Sequence, residues 1–136
     1  YNRSKSNGTE QNFTSLDSFH RSVHIDSELK VIAALPKMFH VREQNMIFGK
    51  RGRGTNFALG YNGMTSLGDD HILDHGMEAI RKEIERCDIY SGIIVYHSIS
   101  GGTGSGVGAH MIELLRDMYP CNYIMSCAVS PCISGD

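Results

Sequence analysis

The sequence of 136 residues has no tryptophan, three prolines, no CxxC pair and no run of about 18 apolar residues. The last absence excludes a membrane-spanning helix of the usual length. Without CxxC spacing, the four cysteines fit no zinc template, and buried structural thiols in a reducing compartment are the preferred interpretation. No N-terminal stretch has the pattern of a secretory signal. Secreted disulfide scaffolds and integral membrane proteins are therefore disfavoured.

The chain also lacks an excess of charge of either sign. Thirteen Lys+Arg stand against 15 Asp+Glu, which gives a formal net charge of -2. Such a balance provides no basic surface for a nucleic-acid backbone or an anionic membrane, and neither is a predicted partner. Hydrophobic content of 40% and a charged share of 21% are those of a globular domain.

The sequence divides into a polar head, residues 1–21, and one α/β domain, residues 22–136. The head lacks hydrophobic periodicity and is predicted to be loop or disordered. The domain alternates β-like and helical patterns, as in a mainly parallel sheet with helices on both faces. The predicted strands are 22–25, 92–96 (buried on both faces) and 122–129, and the predicted helices are 28–38 (closed by Pro36), 70–88 and one beginning near Val107.

Glycine is enriched, with 15 residues, about 11% against a usual 7%. Residues 100–106 read SGGTGSG, between the predicted strand 92–96 and a helix. At the carboxyl end of a parallel strand, glycines allow successive N–H groups to point into one concavity, and the following helix adds its positive dipole end. The hydroxyls of Ser98, Thr103 and Ser105 suit phosphate oxygens. This loop predicts a polyphosphate ligand.

The same loop has three other interpretations. A Walker A loop requires Gly-Lys-[Ser/Thr], and residues 98–110 contain no lysine, so a P-loop NTPase is excluded here. Residues 104–109, GSGVGA, fit the relaxed dinucleotide pattern and would suit an oxidoreductase, but the acidic residue expected about 20 positions later is missing. A turn that only packs does not need seven consecutive residues drawn from Gly, Ser and Thr.

Residues 100–106 resemble the tubulin signature loop, [S/A/G]GGTG[S/A]G, position by position. The flanking segments agree in order: IDSE at 25–28 resembles VDLEP, GRGTNFALGY at 52–61 resembles GAGNNWAKGH, and YHSIS before the loop resembles the HS-containing strand end. Val129-Ser130-Pro131 resembles the start of the next, ribose-side loop. The resemblance covers about residues 22–135, and it implies part of a tubulin/FtsZ-type nucleotide-binding domain.

This resemblance implies GTP and Mg²⁺ as ligands. A carboxylate on a turn after a strand also suits a hard cation on general grounds. By the resemblance, one group of residues contacts the phosphates and Gly54 and Asn56 border the γ-phosphate, while Glu28 and Asp26 lie at the metal. The phosphate group comprises Ser98, Ser100, Gly101, Gly102, Thr103 and Gly104.

The resemblance further implies a cytoplasmic, cytoskeletal protein that makes longitudinal contacts with other tubulin subunits in a microtubule, centriole or basal body. IRKEIERCDIYSG at 80–92 looks most like the delta branch. The family's first phosphate loop is expected upstream of Tyr1 and its base-contacting and hydrolysis-triggering segments beyond Asp136. The chain is therefore expected to be a fragment that is not a competent GTPase alone, and a truncated product without independent activity is a further alternative.

Arg53 stands where the family pattern has a small residue. Two interpretations are open. Its guanidinium pairs with the γ-phosphate and favours GTP over GDP, or it points to solvent with Lys50 and Arg51, which is preferred because a long side chain reaches water easily.

Overall fold

The computed structural model describes residues 19–37, 39–63 and 71–131. Residues 1–18 of the predicted polar head lie outside this part of the chain. The four strands in these ranges form two parallel pairs. Ile25 lies opposite Ile47 in the first pair, and Val95 lies opposite Ser126 in the second. The first pair is β1 (His24–Asp26) with β2 (Met46–Phe48), and the second is β3 (Gly92–Ser98) with β4 (Tyr123–Val129). The predicted α/β class with parallel strands is confirmed.

The described helices are α1 (Leu29–Ile32), α2 (Phe57–Asn62), α3 (Ile72–Glu85) and α4 (Gly108–Met118), with short 3-10 turns at Leu35–Lys37 and Glu43–Asn45. The predicted helix 70–88 is confirmed as α3. The predicted helix 28–38 is wrong in length, because α1 ends at Ile32 and the 3-10 turn follows. Pro36 lacks an N–H, and the residue before a proline is disfavoured in the α conformation.

The core lies between α3, α4 and one face of the strands. Met77 and Ile80 of α3 pack against Met111 and Leu115 of α4, and all four are at most 9% exposed. The apolar residues of both helices recur at three- and four-residue spacing, which places them on one face of each helix. Partly buried residues of the strands complete the cluster: Ile25, Ile93, Val95 and Ile124.

The opposite face of the β3–β4 pair is exposed. Ile94 and Tyr96 of β3 are 52% and 74% exposed, and their neighbours Tyr123 and Met125 of β4 are 82% and 62% exposed. The prediction that β3 is buried on both faces is therefore wrong for residues 19–37, 39–63 and 71–131. Successive strand residues point to opposite faces, and the described core lies on one of them.

Candidate functional site

The signature loop joins β3 directly to α4. After Ser98 the chain turns at Gly101, whose φ of 77° is in the left-handed region that favours glycine. Gly102–Val107 then forms a π-helical segment that continues into α4, and the Gly108 N–H bonds to the carbonyls of Thr103 and Ser105. Short π-helical segments are rare and occur often at functional sites. The loop therefore lies where the sequence predicts it, at the carboxyl end of a parallel strand and the beginning of a helix.

Side chains at the end of β3 hold this loop in place. Nδ1 of His97 lies 3.0 Å from the Gly104 carbonyl oxygen, and because a carbonyl only accepts, Nδ1 carries a hydrogen. Nε2 of the same ring lies 2.8 Å from Oγ of Ser126. The Ser100 N–H donates to Oγ of Ser98 at 3.0 Å, and the two serine hydroxyls are 2.9 Å apart. The structure thus brings Ser98, Ser100 and Gly104 together.

The second glycine loop, residues 52–56, contacts the signature loop through backbone atoms. The Gly102 N–H donates to the Gly54 carbonyl at 2.7 Å. An ideal Cβ on Gly102 would lie 2.6 Å from Cβ of Arg53 and 2.8 Å from the carbonyl oxygen of Asn56. Glycine at position 102 is thus required by the packing of the two loops. A phosphate at the Gly102 N–H would have to replace the Gly54 carbonyl.

Asn56 has a structural role that the sequence did not indicate. Its Oδ1 accepts a hydrogen bond from the Leu59 N–H at 3.0 Å and caps the start of α2. Asparagine is a preferred N-cap because its side-chain oxygen satisfies an amide that has no partner within the helix. Asn56 lies beside the signature loop, since its backbone carbonyl oxygen would be 2.8 Å from a Cβ on Gly102. Its side-chain Oδ1 is committed to the cap.

Aromatic contacts connect α2 to α4 behind these loops. The Tyr61 ring stacks on His110 at 4.7 Å and on Phe57 at 5.6 Å between centroids. Nδ1 of His110 lies 2.6 Å from the Tyr61 carbonyl oxygen. The Tyr61 hydroxyl donates to the Glu113 carboxylate, and this bond raises the pKa of Tyr61. The loop at 52–56 is therefore attached to a helix that is itself fixed on α4.

The acidic turn after β1 is the third component of the site. Oδ1 of Asp26 accepts a hydrogen bond from the Glu28 N–H at 3.1 Å, which orders the turn. The Glu28 carboxylate lies against Gly52, where an ideal Cβ would be 2.7 Å from Oε1. It also lies 3.6 Å from Nζ of Lys30, and its side chain is 48% exposed. Glu28 thus lies beside the second glycine loop, and its side chain is accessible to a ligand.

Ser27 connects the acidic turn to the signature loop and to the loop at 52–56. It was not identified as a site residue from the sequence. Its side chain is 3% exposed, and its Oγ lies 2.6 Å from Oγ1 of Thr103 and 3.2 Å from the Arg53 nitrogen. The available signal was the match of IDSE to VDLEP, in which a serine takes the place of leucine between two carboxylates. A polar residue replacing an apolar one at a position next to a ligand loop indicates a hydrogen bond there.

Arg53 is buried, so the interpretation that it points to solvent is wrong. It is 2% exposed and lines a cavity of about 90 Å³. The other described residues around this cavity belong to α2, to α3 and to the residues adjoining them: Gly60, Asn62, Gly63, His71, Ile72, Leu73 and Asp74. Arg53 therefore extends toward the end of α2 and the start of α3.

Metal binding has limited support within the described part of the chain. Residues 19–37, 39–63 and 71–131 contain no group of three or more His, Cys, Asp or Glu side chains that would hold a metal ion by themselves. Asp26 and Glu28 carry carboxylate oxygens, the type of ligand that Mg²⁺ takes together with waters. No helix in the described ranges has the length and apolar character needed to cross a membrane.

Comparison with known proteins identifies the family of this chain. Residues 4–136 match the model of the tubulin/FtsZ family, GTPase domain. The chain belongs to the tubulin/FtsZ family. It is 38% identical over 90 residues to the tubulin beta-6 chain of Gossypium hirsutum, and the aligned region is 66% of this chain and 19% of that relative. The chain thus spans about a fifth of the curated relative that it matches.

The family match also bears on the dinucleotide alternative. The GSGVGA segment lies in the π-helical segment and the first residues of α4. Its first three residues, 104–106, belong to the signature loop, and the match to the GTPase-domain family covers the whole GSGVGA segment. An oxidoreductase is not favoured.

Proposed function

We propose that residues 22–136 form part of the GTP-binding domain of a tubulin-family cytoskeletal subunit. The observation that carries the proposal is the direct contact of three loops: the signature loop, the loop at 52–56 and the turn at 26–28. The signature loop is joined to the loop at 52–56 by the hydrogen bond from Gly102 to Gly54. It is joined to the turn at 26–28 by the hydrogen bond between Thr103 and Ser27. Membership of a GTPase-domain family supports the same ligand.

The signature loop binds phosphate in this proposal without a charged side chain. Backbone N–H groups at the start of a helix and the helix dipole attract an anion, and side-chain hydroxyls add donors. Ser98, Ser100 and Thr103 supply those hydroxyls, and Gly101 and Gly104 allow the close approach of the backbone. Gly54 and Asn56 border the γ-phosphate. GTP supplies the chain of phosphate oxygens that these donors require.

Mg²⁺ is proposed at the acidic turn. Glu28 and Asp26 provide carboxylate oxygens, the ligand type that Mg²⁺ prefers. The accessible Glu28 carboxylate lies beside Gly52, the first residue of the loop that is proposed to border the γ-phosphate. A cation bound there would neutralise phosphate charge. The signature loop itself has no basic side chain that could do so.

The family and its β-tubulin relative support a role in a polymer. In the proposal, the nucleotide shifts the subunit between conformations that differ in affinity for neighbouring tubulin subunits along a filament. The protein then works in the cytoplasm as part of a microtubule. The delta-like pattern at residues 80–92 favours a centriole or basal body. Any hydrolysis is an activity of the complete subunit.

The deciding experiment is equilibrium binding of GTP and of NAD to the protein that carries residues 1–136. We expect GTP to bind more tightly than NAD, and Mg²⁺ to strengthen GTP binding. Tighter NAD binding would overturn the proposal in favour of the dinucleotide alternative. Absence of binding of either nucleotide would also contradict it.

The metal assignment has its own test. Glu28→Gln should remove most of the Mg²⁺-dependent gain in GTP affinity and leave the affinity measured with EDTA unchanged. Glu85→Gln, which changes an exposed carboxylate on α3, is the matched control and should retain the full gain. An unchanged Mg²⁺ response in Glu28→Gln would place the metal elsewhere.

A further inference from the structure

Ser27 and Thr103 form a hydrogen-bonded pair whose direction is fixed by a third group. The Arg53 N–H, 3.2 Å from Oγ of Ser27, is a donor and cannot accept. Ser27 is 3% exposed, and its other hydrogen-bond contact in the described part of the chain is Oγ1 of Thr103 at 2.6 Å. The Ser27 oxygen therefore accepts from the backbone, and its hydrogen has one acceptor within reach.

The opposite direction is disfavoured by burial. If Thr103 donated to Ser27, the Ser27 hydrogen would be left without an acceptor in a site that water does not reach. Buried polar hydrogens almost always form a hydrogen bond, because a buried donor without an acceptor carries the full cost of its desolvation. Ser27 consequently donates to Thr103, and the chain of donors runs from Arg53 through Ser27 to Thr103.

We propose that Ser27 is a positioning residue that turns the Thr103 hydroxyl into a donor for a nucleotide phosphate. With its oxygen already accepting from Ser27, Thr103 cannot donate its own hydrogen to Ser27 and keeps it as a donor for another group. Thr103 is half-buried, so part of this residue is open to a ligand, whereas Ser27 is not. Phosphate oxygens only accept hydrogen bonds, so a hydroxyl that presented a lone pair there would repel them. The proposal rests on the function proposed above.

Leucine, which the VDLEP pattern has at this place, cannot form this chain of bonds. In a protein with leucine there, the Thr103 hydroxyl would be free to rotate and to present either its hydrogen or a lone pair. Ser27 thus restricts the hydroxyl before the ligand arrives, and hydrogen bonds in a chain also strengthen one another. The feature distinguishes this chain from the pattern that it otherwise resembles.

A double-mutant cycle tests the proposal in the protein that carries residues 1–136. Thr103→Val removes the hydroxyl, and Thr103→Ser keeps it as the matched control. Ser27→Ala should weaken GTP binding about tenfold, or about 1.4 kcal/mol, both in the parent and in the Thr103→Ser background. In the Thr103→Val background Ser27→Ala should cost less than twofold, because the group that it positions is gone.

Thermal unfolding without nucleotide separates positioning from a structural role. A merely structural Ser27 would lower the melting temperature and weaken GTP binding equally in all three backgrounds, which would overturn the inference. If Ser27→Ala unfolds the protein, Ser27→Cys replaces it, with a weak S–H donor of similar size and a smaller expected loss. A parent that does not bind GTP contradicts the proposed function itself, whereas a parent that binds and shows additive losses contradicts this inference alone.

Discussion

Gly60 lies so close to Gly102 that an ideal Cβ on Gly60 would be 1.9 Å from the Gly102 carbonyl oxygen. A Cβ on Gly106 would be 2.7 Å from Cα of Gly60. The backbone of α2 therefore rests on the signature loop with no side chain between them. Since the loop at 52–56 leads directly into α2, the spacing of the two loops depends on this glycine contact.

Gly60→Ala is expected to destabilise the protein by at least about 2 kcal/mol, because the added methyl group meets backbone atoms that cannot move aside. The measurement is thermal or urea unfolding. Gly76→Ala on α3 is the matched control. Its Cβ would lie 2.8 Å from Cδ1 of Ile25 and Cε of Met111, the ends of flexible side chains, and alanine also favours the helix. Equal losses in the two variants would contradict the backbone explanation.

Glu83 is a buried carboxylate that connects α3 to the segment before β2. It is 7% exposed, and its oxygens lie 3.2 Å from Nη1 of Arg42 and 2.7 Å from Nδ2 of Asn45, which is fully buried. Glu83→Ala should lower the free energy of unfolding by about 3 kcal/mol, because it leaves the half-buried Arg42 cation without its carboxylate and removes one of the two acceptors of the Asn45 amide. Urea unfolding measures the loss.

Glu85→Gln is the control for this prediction. Glu85 lies on the exposed side of the same helix and pairs with Arg81. Exposed ion pairs contribute little to stability, because solvent screens them. We therefore expect the unfolding midpoint of Glu85→Gln to remain close to that of the parent. A loss as large as that of Glu83→Ala would mean that burial does not determine the effect.

Local patterns predicted the parts of the site that depend on neighbouring residues. Hydrophobic spacing indicated α3, and an apolar run followed by SGGTGSG placed the signature loop at the end of β3. The bond between Ser27 and Thr103 joins residues that are 76 positions apart, and no periodicity encodes such a contact. The prediction that both faces of β3 are buried was wrong for the described chain. Burial of a face depends on which helices or strands cover it, and the sequence of β3 does not encode that.

His24 of β1 should make stability depend on pH. Burial, and secondly the charge of His20, lowers the pKa of His24 below its ordinary value of 6.5. The unfolded state then binds more protons than the folded state in the interval between the two values, so stability is complete above about pH 6.5 and is lost as the pH falls through the folded pKa. Melting temperatures between about pH 8 and pH 5 measure this loss.

His24→Gln should flatten the acid part of that profile, since glutamine does not titrate. His75→Gln, at an exposed position of α3, is the control and should leave the profile unchanged. An acid loss of the same size in His24→Gln would assign it to other groups.

Arg53 provides the test that distinguishes packing from phosphate recognition. Its side chain is 2% exposed and lies in the cavity beside α2 and α3. Arg53→Ala removes this buried side chain and should lower the free energy of unfolding by at least about 2 kcal/mol. It should weaken GTP and GDP binding by the same factor, because the group does not distinguish the two nucleotides.

Calorimetric titration with each nucleotide, together with thermal unfolding, checks this prediction. Arg51→Ala is the matched control, because Arg51 is an exposed arginine two positions earlier, just before the loop at 52–56. It should change neither stability nor affinity. If the guanidinium instead reached the γ-phosphate, Arg53→Ala would reduce the preference for GTP over GDP tenfold for each 1.4 kcal/mol lost. Such a selective loss, with an unchanged melting temperature, would show that the Arg53 guanidinium recognises the γ-phosphate and is not a packing group.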